Sequence, residues 1–429
     1  MRNPWKAQSQ PHEKPSGDLE GSPPAKDQAD APPDGGLRAW TQVLFLHIVF
    51  FNTWGVANGF GVFQEYYSST LGQSQSAISW VGSVQVFFLF SIGVATGRAT
   101  DAGHFRIIFT LGVFLQVLGL FMLSLSTTYW QIFLAQAVCL GIGNGCTFCP
   151  ALAIMSSYFK RKRAIAVGLA SAGAGCGGLI YPVVLDQLIH LQGFGGFPWA
   201  VRIMGFIMLA TYIPCVIWFT PRLPPQKTGP LVDTSAFTEA TFILFSLSMF
   251  FNFWGLYFAF FYMGTFARDR IGVAQPITLL LVLNGVGVVG RILPNIVADR
   301  IGALNVLIPL SFAASLVLYC WVAVHTTGAL YGFAVLYGLL AAALQALFPA
   351  VATTMTPDLS RTGTRVGMIF SFVSFATLTG PAISGALIQK RDGDYLYAQL
   401  FAGTSVLIGA LFAVAAKVSL ARTEHCRVY

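Results

Sequence analysis

Charged residues are scarce in this chain. Asp, Glu, Lys and Arg together make up 10% of its 429 residues, whereas soluble domains carry about 25%. This deficit excludes an ordinary soluble protein. Hydrophobic residues make up 55% of the chain and its mean hydropathy is +0.66, so the sequence predicts a polytopic membrane protein.

Signatures of enzymes and of ATP-driven pumps are also missing from the sequence. It has no Walker-type glycine loop and no cluster of His, Glu, Asp or Cys among its apolar segments. The single CxxC pair, Cys146 and Cys149, falls inside an apolar segment. There, packing as small hydrophobic residues is favoured over a redox or metal pair. We therefore expect no enzymatic activity, no cofactor and no bound metal.

The first 38 residues differ from the rest of the chain. They hold seven Pro, six acidic and five basic residues with almost nothing apolar, which is typical of a disordered tail. The first apolar run begins only near Trp40, too late for a signal peptide. We therefore predict a disordered cytoplasmic tail over 1–38, followed by a first apolar segment that stays as a membrane anchor.

Twelve apolar segments follow, each long enough to cross a membrane. They predict an all-α membrane protein with six-helix halves at 39–220 and 238–418, a cytoplasmic linker at 221–237 and a cytoplasmic C-terminal tail at 419–429. Loops on the side of the termini carry eleven Lys and Arg, against four in the opposite loops. The positive-inside rule thus predicts that both termini are cytoplasmic. We expect a monomer, in the plasma membrane.

Short stretches recur about 200 positions apart. "FFNTWG" at 50–55 returns as "FFNFWG" at 250–255, and "TFCPALA" at 147–153 resembles "ALFPAVA" at 346–352. Gly and Pro fourteen residues apart, at 168 and 182, recur at 367 and 381. This spacing indicates a tandem repeat of two six-helix halves in parallel. Such an architecture is typical of a transporter whose site lies between its halves, near the middle of the membrane.

Four motifs carry a family resemblance. "GRATDAGHFR" at 97–106 and "NIVADRIG" at 295–302 are similar to the paired loop motifs of the major facilitator superfamily. "PDGGLRAW" at 33–40 and "YFKRKRAIAVGLASAGAG" at 158–175 resemble the two signatures of its monocarboxylate-porter family, the fungal branch especially. The resemblance covers nearly everything after residue 33.

The resemblance implies the major facilitator fold and a secondary transporter that moves a small organic molecule by alternating access. The cargo would be a carboxylate or a secondary metabolite. Fungal porters of this branch resemble both nutrient or vitamin importers and metabolite exporters, so the direction stays open. A membrane sensor or scaffold on the same fold is the alternative. The short C-terminal tail argues against it, and nothing in the sequence points to nucleic acid.

Charged residues at the ends of two helices are candidates for a cytoplasmic gate. They are Asp101, Arg106, Asp299 and Arg300. Each carboxylate could pair with the neighbouring Arg or with the N-terminus of another helix. Contacts of this kind could hold that side shut in one state and break in the other. The alternative is that they are solvated charges which only fix the topology.

Polar residues within the apolar segments are candidates for the substrate path, because they are costly in lipid. The candidates are Asn52, Asn58, Asn144, Asn252, Tyr257, Asn284, Arg291 and Gln345. For the repeated pair Asn52 and Asn252, we expect amides that face the path, with Trp54 and Trp254 near them. Residues two apart lie on different faces of a helix, so Asn and Trp cannot both point straight inward.

Arg291 is the most informative of these candidates. By resemblance, it matches an Arg of the eighth span that binds anions in monocarboxylate porters; the alternative is an Arg that snorkels to the membrane surface. Where the animal porters have an acid one turn earlier and a Lys late in the first span, this chain has Gly287 and Asn58. No Asp or Glu lies mid-membrane, and His47 is the single titratable candidate there. Coupling of transport to protons therefore depends on His47 alone, and the sequence leaves it as an alternative.

Overall fold

A computed structural model describes residues 33–191, 195–222, 232–273, 276–354 and 362–427 of the protein. Within these residues it contains twelve helices long and apolar enough to cross a membrane, which confirms the predicted fold class. Most of the predicted tail (1–32) and most of the predicted linker (223–231) lie outside the described residues.

The spanning helices follow one another with short connections. Those of the first half are α1 (Leu37–Thr70), α2 (Gln75–Ala99), α3 (Ala102–Leu123), α4 (Tyr129–Met155), α5 (Arg163–His190) and α6 (Gly196–Trp218). Those of the second half are α7 (Ala240–Ile271), α8 (Ile277–Ile301), α9 (Ala303–Ala323), α10 (Thr327–Thr353), α11 (Thr364–Lys390) and α12 (Leu396–Arg422). Because their number is even, α1 starts and α12 ends at the same end of the bundle, called the termini end below.

Two boundaries differ from the prediction. Helix α1 begins at Leu37, inside the predicted tail, and Asp34 just before it is hydrogen-bonded to the chain. The last helix continues beyond its membrane-spanning part to Arg427, so residues 419–427 of the predicted C-terminal tail are helical. Residues 419–427 contain no Gly or Pro, and nothing in the sequence therefore stops the helix at the membrane surface.

The two halves meet along two helix pairs. Helix α5 packs along α8, and α2 packs along α11. Helices α3, α6, α8, α9 and α12 are the least buried of the twelve, and α3, α6 and α9 carry exposed apolar side chains at Leu111, Ile213 and Leu316. Such side chains suit a helix that contacts lipid. The helix pairs α5 with α8 and α2 with α11 border the space between the halves.

Glycines let α1 and α5 approach almost backbone to backbone. A Cβ atom on Gly55 would lie 2.6 Å from the Cα atom of Gly177. One on Gly177 would collide with the carbonyl oxygen of Phe51, and one on Gly173 with that of His47. Small residues at such a crossing are what close packing in a membrane requires. Gly173 and Gly177 of α5 are therefore explained by the contact with α1, whereas Gly168, Gly175 and Gly178 lie against α8.

Replacing one of these glycines should destabilise the first half. For Gly177→Ala we expect a loss of about 1–3 kcal/mol, because the added methyl must push two helix backbones apart. The thermal unfolding temperature of the purified protein in detergent measures it. Gly332→Ala is the matched control, since a Cβ atom there meets nothing within 4 Å. Equal unfolding temperatures for the two variants would contradict this account of the packing.

A buried ion-pair cluster fixes the start of the second half. Arg365, at the start of α11, donates to Asp233 (Nε to Oδ2, 2.9 Å) and with both terminal nitrogens to Glu239 (2.8 and 2.7 Å). Asp233 caps the short helix Thr234–Thr238 through the N–H of Ser235. Hydrogen bonds from Ser235, followed by those from Arg365, lower the pKa of Asp233 to about 2. The cluster holds the segment before α7 against α11.

We expect Asp233→Asn to lower the unfolding temperature equally at pH 5 and pH 7.5. The lowered pKa means that the stabilisation by this carboxylate is complete above the unfolded value, about 3.9, and is lost only as the pH falls toward 2. Exposed Asp392→Asn serves as the control. No loss of stability in Asp233→Asn, or a loss that fades between pH 7.5 and pH 5, would contradict this account, because a carboxylate with a lowered pKa keeps its charge over that whole range.

Candidate functional site

A small cavity lies between the two halves. Its volume is about 20 Å³, which is room for about one water molecule. Its lining comes from α1, α2, α4 and α5 of the first half and from α7, α8, α10 and α11 of the second. The lining residues are Phe50, Trp54, Phe90, Phe148, Ser171, Ala174, Phe253, Arg291, Gln345, Phe348, Pro349 and Phe370.

Arg291 is the one charged residue that lines this cavity. Its side chain is only 1% exposed, and it donates from Nη2 to the Oε1 atom of Gln345 at 2.7 Å. No carboxylate among the described residues pairs with it. Taking an uncompensated cation out of water is expensive. Of the two alternatives raised by the sequence, the structure shows the inward orientation and not a side chain that snorkels to the surface.

Two glycines make room for the guanidinium group of Arg291. A Cβ atom on Gly287 would lie 2.8 Å from Nη1, and one on Gly175 would lie 3.3 Å from it. Gly287 stands one turn before Arg291, so an acidic side chain at that position would occupy the space that the guanidinium now fills. The sequence departure at Gly287 therefore leaves the positive charge of Arg291 without a carboxylate partner on its own helix.

The expected inward orientation of Asn52 and Asn252 is wrong. Asn52 donates to the hydroxyl of Thr211 on α6 at 3.0 Å and accepts from the hydroxyl of Tyr181 on α5. Asn252 donates to the Ser248 carbonyl at 2.9 Å and packs against Gly409 on α12. The Asn52 amide therefore links α1 to α5 and α6, whereas the Asn252 amide is hydrogen-bonded within α7 and packs against α12, and neither residue lines the cavity. The residues of "FFNTWG" that line the cavity are Phe50 and Trp54.

The repeated Trp does not behave alike in the two halves. The indole nitrogen of Trp54 is buried and has no hydrogen-bond partner among the described residues. In contrast, Trp254 donates to the hydroxyl of Thr379 at 2.9 Å and packs against Phe250 and Phe401, away from the cavity. The two tryptophans have therefore diverged, since Trp54 lines the cavity and Trp254 does not, although Phe253 of the second copy also lines it.

Of the other path candidates, Gln345 lines the cavity beside Arg291. Tyr257 is fully buried next to Trp54. Asn284 lies where α8 contacts Gly178 of α5 and keeps one oxygen without a partner. Asn58 and Asn144 are fully buried, and neither amide has a hydrogen-bond partner among the described residues. Asn58, Asn144 and Asn284 are not among the residues that line the cavity, so their place in the substrate path stays a prediction.

The phenylalanines of the lining were not predicted individually. Phe90, Phe148, Phe348 and Phe370 form a contiguous group with ring centroids 4.9–6.3 Å apart. Phenylalanine is so frequent in this chain, with 37 copies, that single positions carry no signal. A spacing of four residues places two side chains on one face of a helix. Phe50 with Trp54 and Phe253 with Tyr257 have this spacing, which could have indicated an aromatic face on α1 and on α7.

Contacts across the halves close the termini end. Asp299, at the end of α8, accepts hydrogen bonds from the backbone N–H groups of Ala164 and Ile165 at 3.0 and 2.9 Å. These are orphan donors at the N-terminus of α5, where a negative charge is favoured. Of the alternatives for Asp299, the structure shows this one. Arg106 and Arg300 are exposed, and the side chain of Asp101 lies outside the described residues.

The two stretches that resemble the monocarboxylate-porter signatures contact each other at the same end. Asp34 accepts from the backbone N–H groups of Lys160 and Arg161 and donates its own N–H to the Tyr158 carbonyl. The rings of Trp40 and Phe159 lie 5.1 Å apart. The loop between α4 and α5 is thus held by Asp34 from its own half and by Asp299 from the other half.

The opposite end is closed as well. A Cβ atom on Gly61 would lie 3.0 Å from the Phe260 carbonyl, and the rings of Phe60 and Phe261 are 4.8 Å apart. Glu65 on α1 forms an ion pair with Arg268 on α7 at 3.1 Å, although exposed pairs such as this contribute little. Since the halves touch at both ends, the structure shows an occluded state around the cavity.

Sequence comparisons identify related proteins. The family model described as Major Facilitator Superfamily matches residues 44–309. An "MFS-type transporter" of Gibberella zeae is 43% identical over 90% of this chain and 88% of its own length. An "Aspyridones efflux protein" of Emericella nidulans is 34% identical over 92% of this chain and 81% of its own length.

Solved structures of distant sequence share the fold. The human organic anion transporter MFSD10 superposes with a TM-score of 0.68 at 13% identity, over 90% of this chain and 100% of its own. The transporter FucP in an outward conformation superposes with a TM-score of 0.64 at 14% identity, over 87% of this chain and 98% of its own. At this identity the likeness concerns the fold alone.

Proposed function

Because the chain belongs to the Major Facilitator Superfamily, it is a secondary transporter that moves a small organic molecule across a membrane, and we propose that it exports an organic acid of fungal secondary metabolism. The observation that carries the proposal is Arg291. Its guanidinium group is buried in the cavity between the halves and has no carboxylate partner among the described residues. A planar guanidinium binds carboxylate oxygens well.

The proposed direction is supported by the relatives. One protein that is 34% identical to this chain, over 92% of this chain and 81% of its own length, is named an aspyridones efflux protein. We also propose the finer assignment to the monocarboxylate-porter-like family, fungal branch, on the two stretches that resemble its signatures and that contact each other through Asp34. Import of a nutrient is the second candidate, and a sensor without transport is the third.

The contacts between the halves support a transport cycle with the following steps. The anion enters while the termini end is open and binds Arg291. The halves then close through contacts such as Asp299 with the N-terminus of α5. Opening of the opposite end requires that contacts such as Phe60 with Phe261 separate. A cavity that holds about one water molecule when closed has no room for the substrate, so binding must separate the halves around it.

We propose that the protein lies in the plasma membrane with both termini in the cytoplasm. The orientation follows from the basic residues, of which eleven lie in the loops of the termini end and four in the opposite loops. Proton coupling through a carboxylate would need an acid in the cavity, and none lines it. The Nδ1 atom of His47, the other candidate for proton coupling, lies 2.9 Å from the carbonyl oxygen of Leu169. This contact joins α1 to α5.

Transport assays in cells test the proposal. Yeast cells with and without the protein are loaded with a panel of labelled carboxylates and native metabolites, and both efflux and uptake are followed at two external pH values. We expect faster efflux of at least one acid in cells that contain the protein. Faster uptake without efflux would favour the importer, and unchanged fluxes for the whole panel would contradict the proposal.

A further inference from the structure

Two nearly parallel aromatic rings meet at the boundary between the halves. Trp54 belongs to α1 of the first half, and Tyr257 belongs to α7 of the second. Their ring planes are nearly parallel, at 6°, and their centroids are 6.3 Å apart. Trp54 lines the cavity that also contains Arg291. The pair therefore joins the two moving parts of the transporter beside its charged group.

Both rings carry a polar atom without a partner. The indole N–H of Trp54 and the hydroxyl of Tyr257 are buried and form no hydrogen bond with any described residue. Buried Trp and Tyr usually find a partner for these groups, and a buried donor that lacks one is costly. The contact between the two rings therefore leaves the indole N–H and the phenol hydroxyl without hydrogen bonds. A third molecule bound beside the rings could supply them.

We propose that Trp54 and Tyr257 form an aromatic clamp that holds a planar, conjugated part of the transported anion between the two halves. A flat ring in contact with both would need about 7 Å between them, two carbon contacts of about 3.5 Å each. The 6.3 Å between the ring centroids includes any sideways offset of the two rings, so the halves must move apart to admit a flat ring and then close on it. The inference rests on the proposed function, because Arg291 holds the acidic oxygen of the same substrate.

The clamp couples recognition to closure. Each ring alone contacts one face of a planar substrate, so both contacts form only when the halves approach each other. A ligand stabilises the state in which it has the most contacts, and a planar anion would thus favour the occluded state. A saturated ring of the same carbon skeleton is not flat and cannot lie against both faces at once. It would keep the contact with Arg291 and lose the clamp.

Binding of two matched acids tests the clamp. The probes are 2-naphthoate and decahydro-2-naphthoate, which share the carboxylate and the carbon skeleton but differ in planarity. Isothermal titration calorimetry on the purified full-length protein in lipid nanodiscs gives both affinities. We expect the planar acid to bind about tenfold more tightly. Trp54→Leu and Tyr257→Leu should each remove most of this preference, because each leaves the planar acid with a single aromatic face to contact.

Three further variants separate the outcomes. Trp54→Phe keeps a flat ring and should retain part of the preference, even if Trp54→Leu fails to fold. Trp254→Leu changes the equivalent residue of the repeat, whose ring lies outside the cavity, and should leave the preference intact. Arg291→Gln should weaken both acids alike. Equal binding of the two acids, still dependent on Arg291, would overturn the clamp and leave the proposed function standing. Failure of both acids to bind would overturn both.

Discussion

Arg291→Lys should lower transport of the organic acid by about 10- to 100-fold. Lysine keeps the positive charge but replaces the planar fork of donors with a single ammonium group, which cannot bind a carboxylate in the same bidentate way. It would also lose the geometry of the bond to Gln345. A loss of about 1.5–3 kcal/mol corresponds to the expected change. Initial efflux rates over a range of internal acid concentrations measure it.

The control is Arg391→Lys, an exposed residue that stacks on Tyr397 outside the cavity. It should transport like the wild type. Quantities of each variant in the membrane are measured by immunoblot, because a buried substitution could also reduce the amount of protein. Wild-type kinetics for Arg291→Lys at equal amounts would contradict the role of Arg291, whatever the direction of transport.

Asp299→Asn should shift the protein toward the state that is open at the termini end. The amide keeps one acceptor but loses the negative charge that favours the N-terminus of α5. Because Asp299 is exposed, solvent screens part of this interaction, and we expect a shift of about 1 kcal/mol, or roughly fivefold in population. Pulsed electron spin resonance between labels at Arg161 and Asn305, one from each half, measures the distance.

Longer distances should gain population in Asp299→Asn and not in Arg300→Gln. Arg300 is adjacent and exposed, so its substitution controls for a change of charge at the same place. The labels are introduced in a variant from which the natural cysteines have been removed. An unchanged distance distribution in Asp299→Asn would mean that this carboxylate only fixes the topology, which was the alternative interpretation of the motif.

The sequence predicted the architecture because that depends on coarse features. Length and apolarity determine which segments span a membrane, and the recurrence of "FFNTWG" and "FFNFWG" showed that the plan is duplicated. Arg291 was also found, since a charge within an apolar segment is rare and costly enough to be noticed singly. Features of this kind do not depend on how a helix is rotated about its axis.

Rotation of the helices decided the points that the sequence left open. Asn52 and Trp54 are two positions apart, so they lie on different faces of α1, and the sequence alone cannot say which one faces inward. The close approach of Gly55 to Gly177 fixes α1 against α5, which directs Asn52 toward Tyr181 and Thr211 and Trp54 into the cavity. In the same way, the absent acid at Gly287 was visible, but its consequence depends on where the guanidinium of Arg291 lies.

Counterflow in proteoliposomes tests the central claim most directly. Vesicles that contain the purified protein are loaded with an unlabelled planar acid such as 2-naphthoate and diluted into a trace of the labelled acid, without ATP or an imposed ion gradient. A carrier that alternates around the Arg291 site should accumulate label transiently, and Arg291→Gln should not. No accumulation by the wild type, or equal accumulation by Arg291→Gln, would contradict the account.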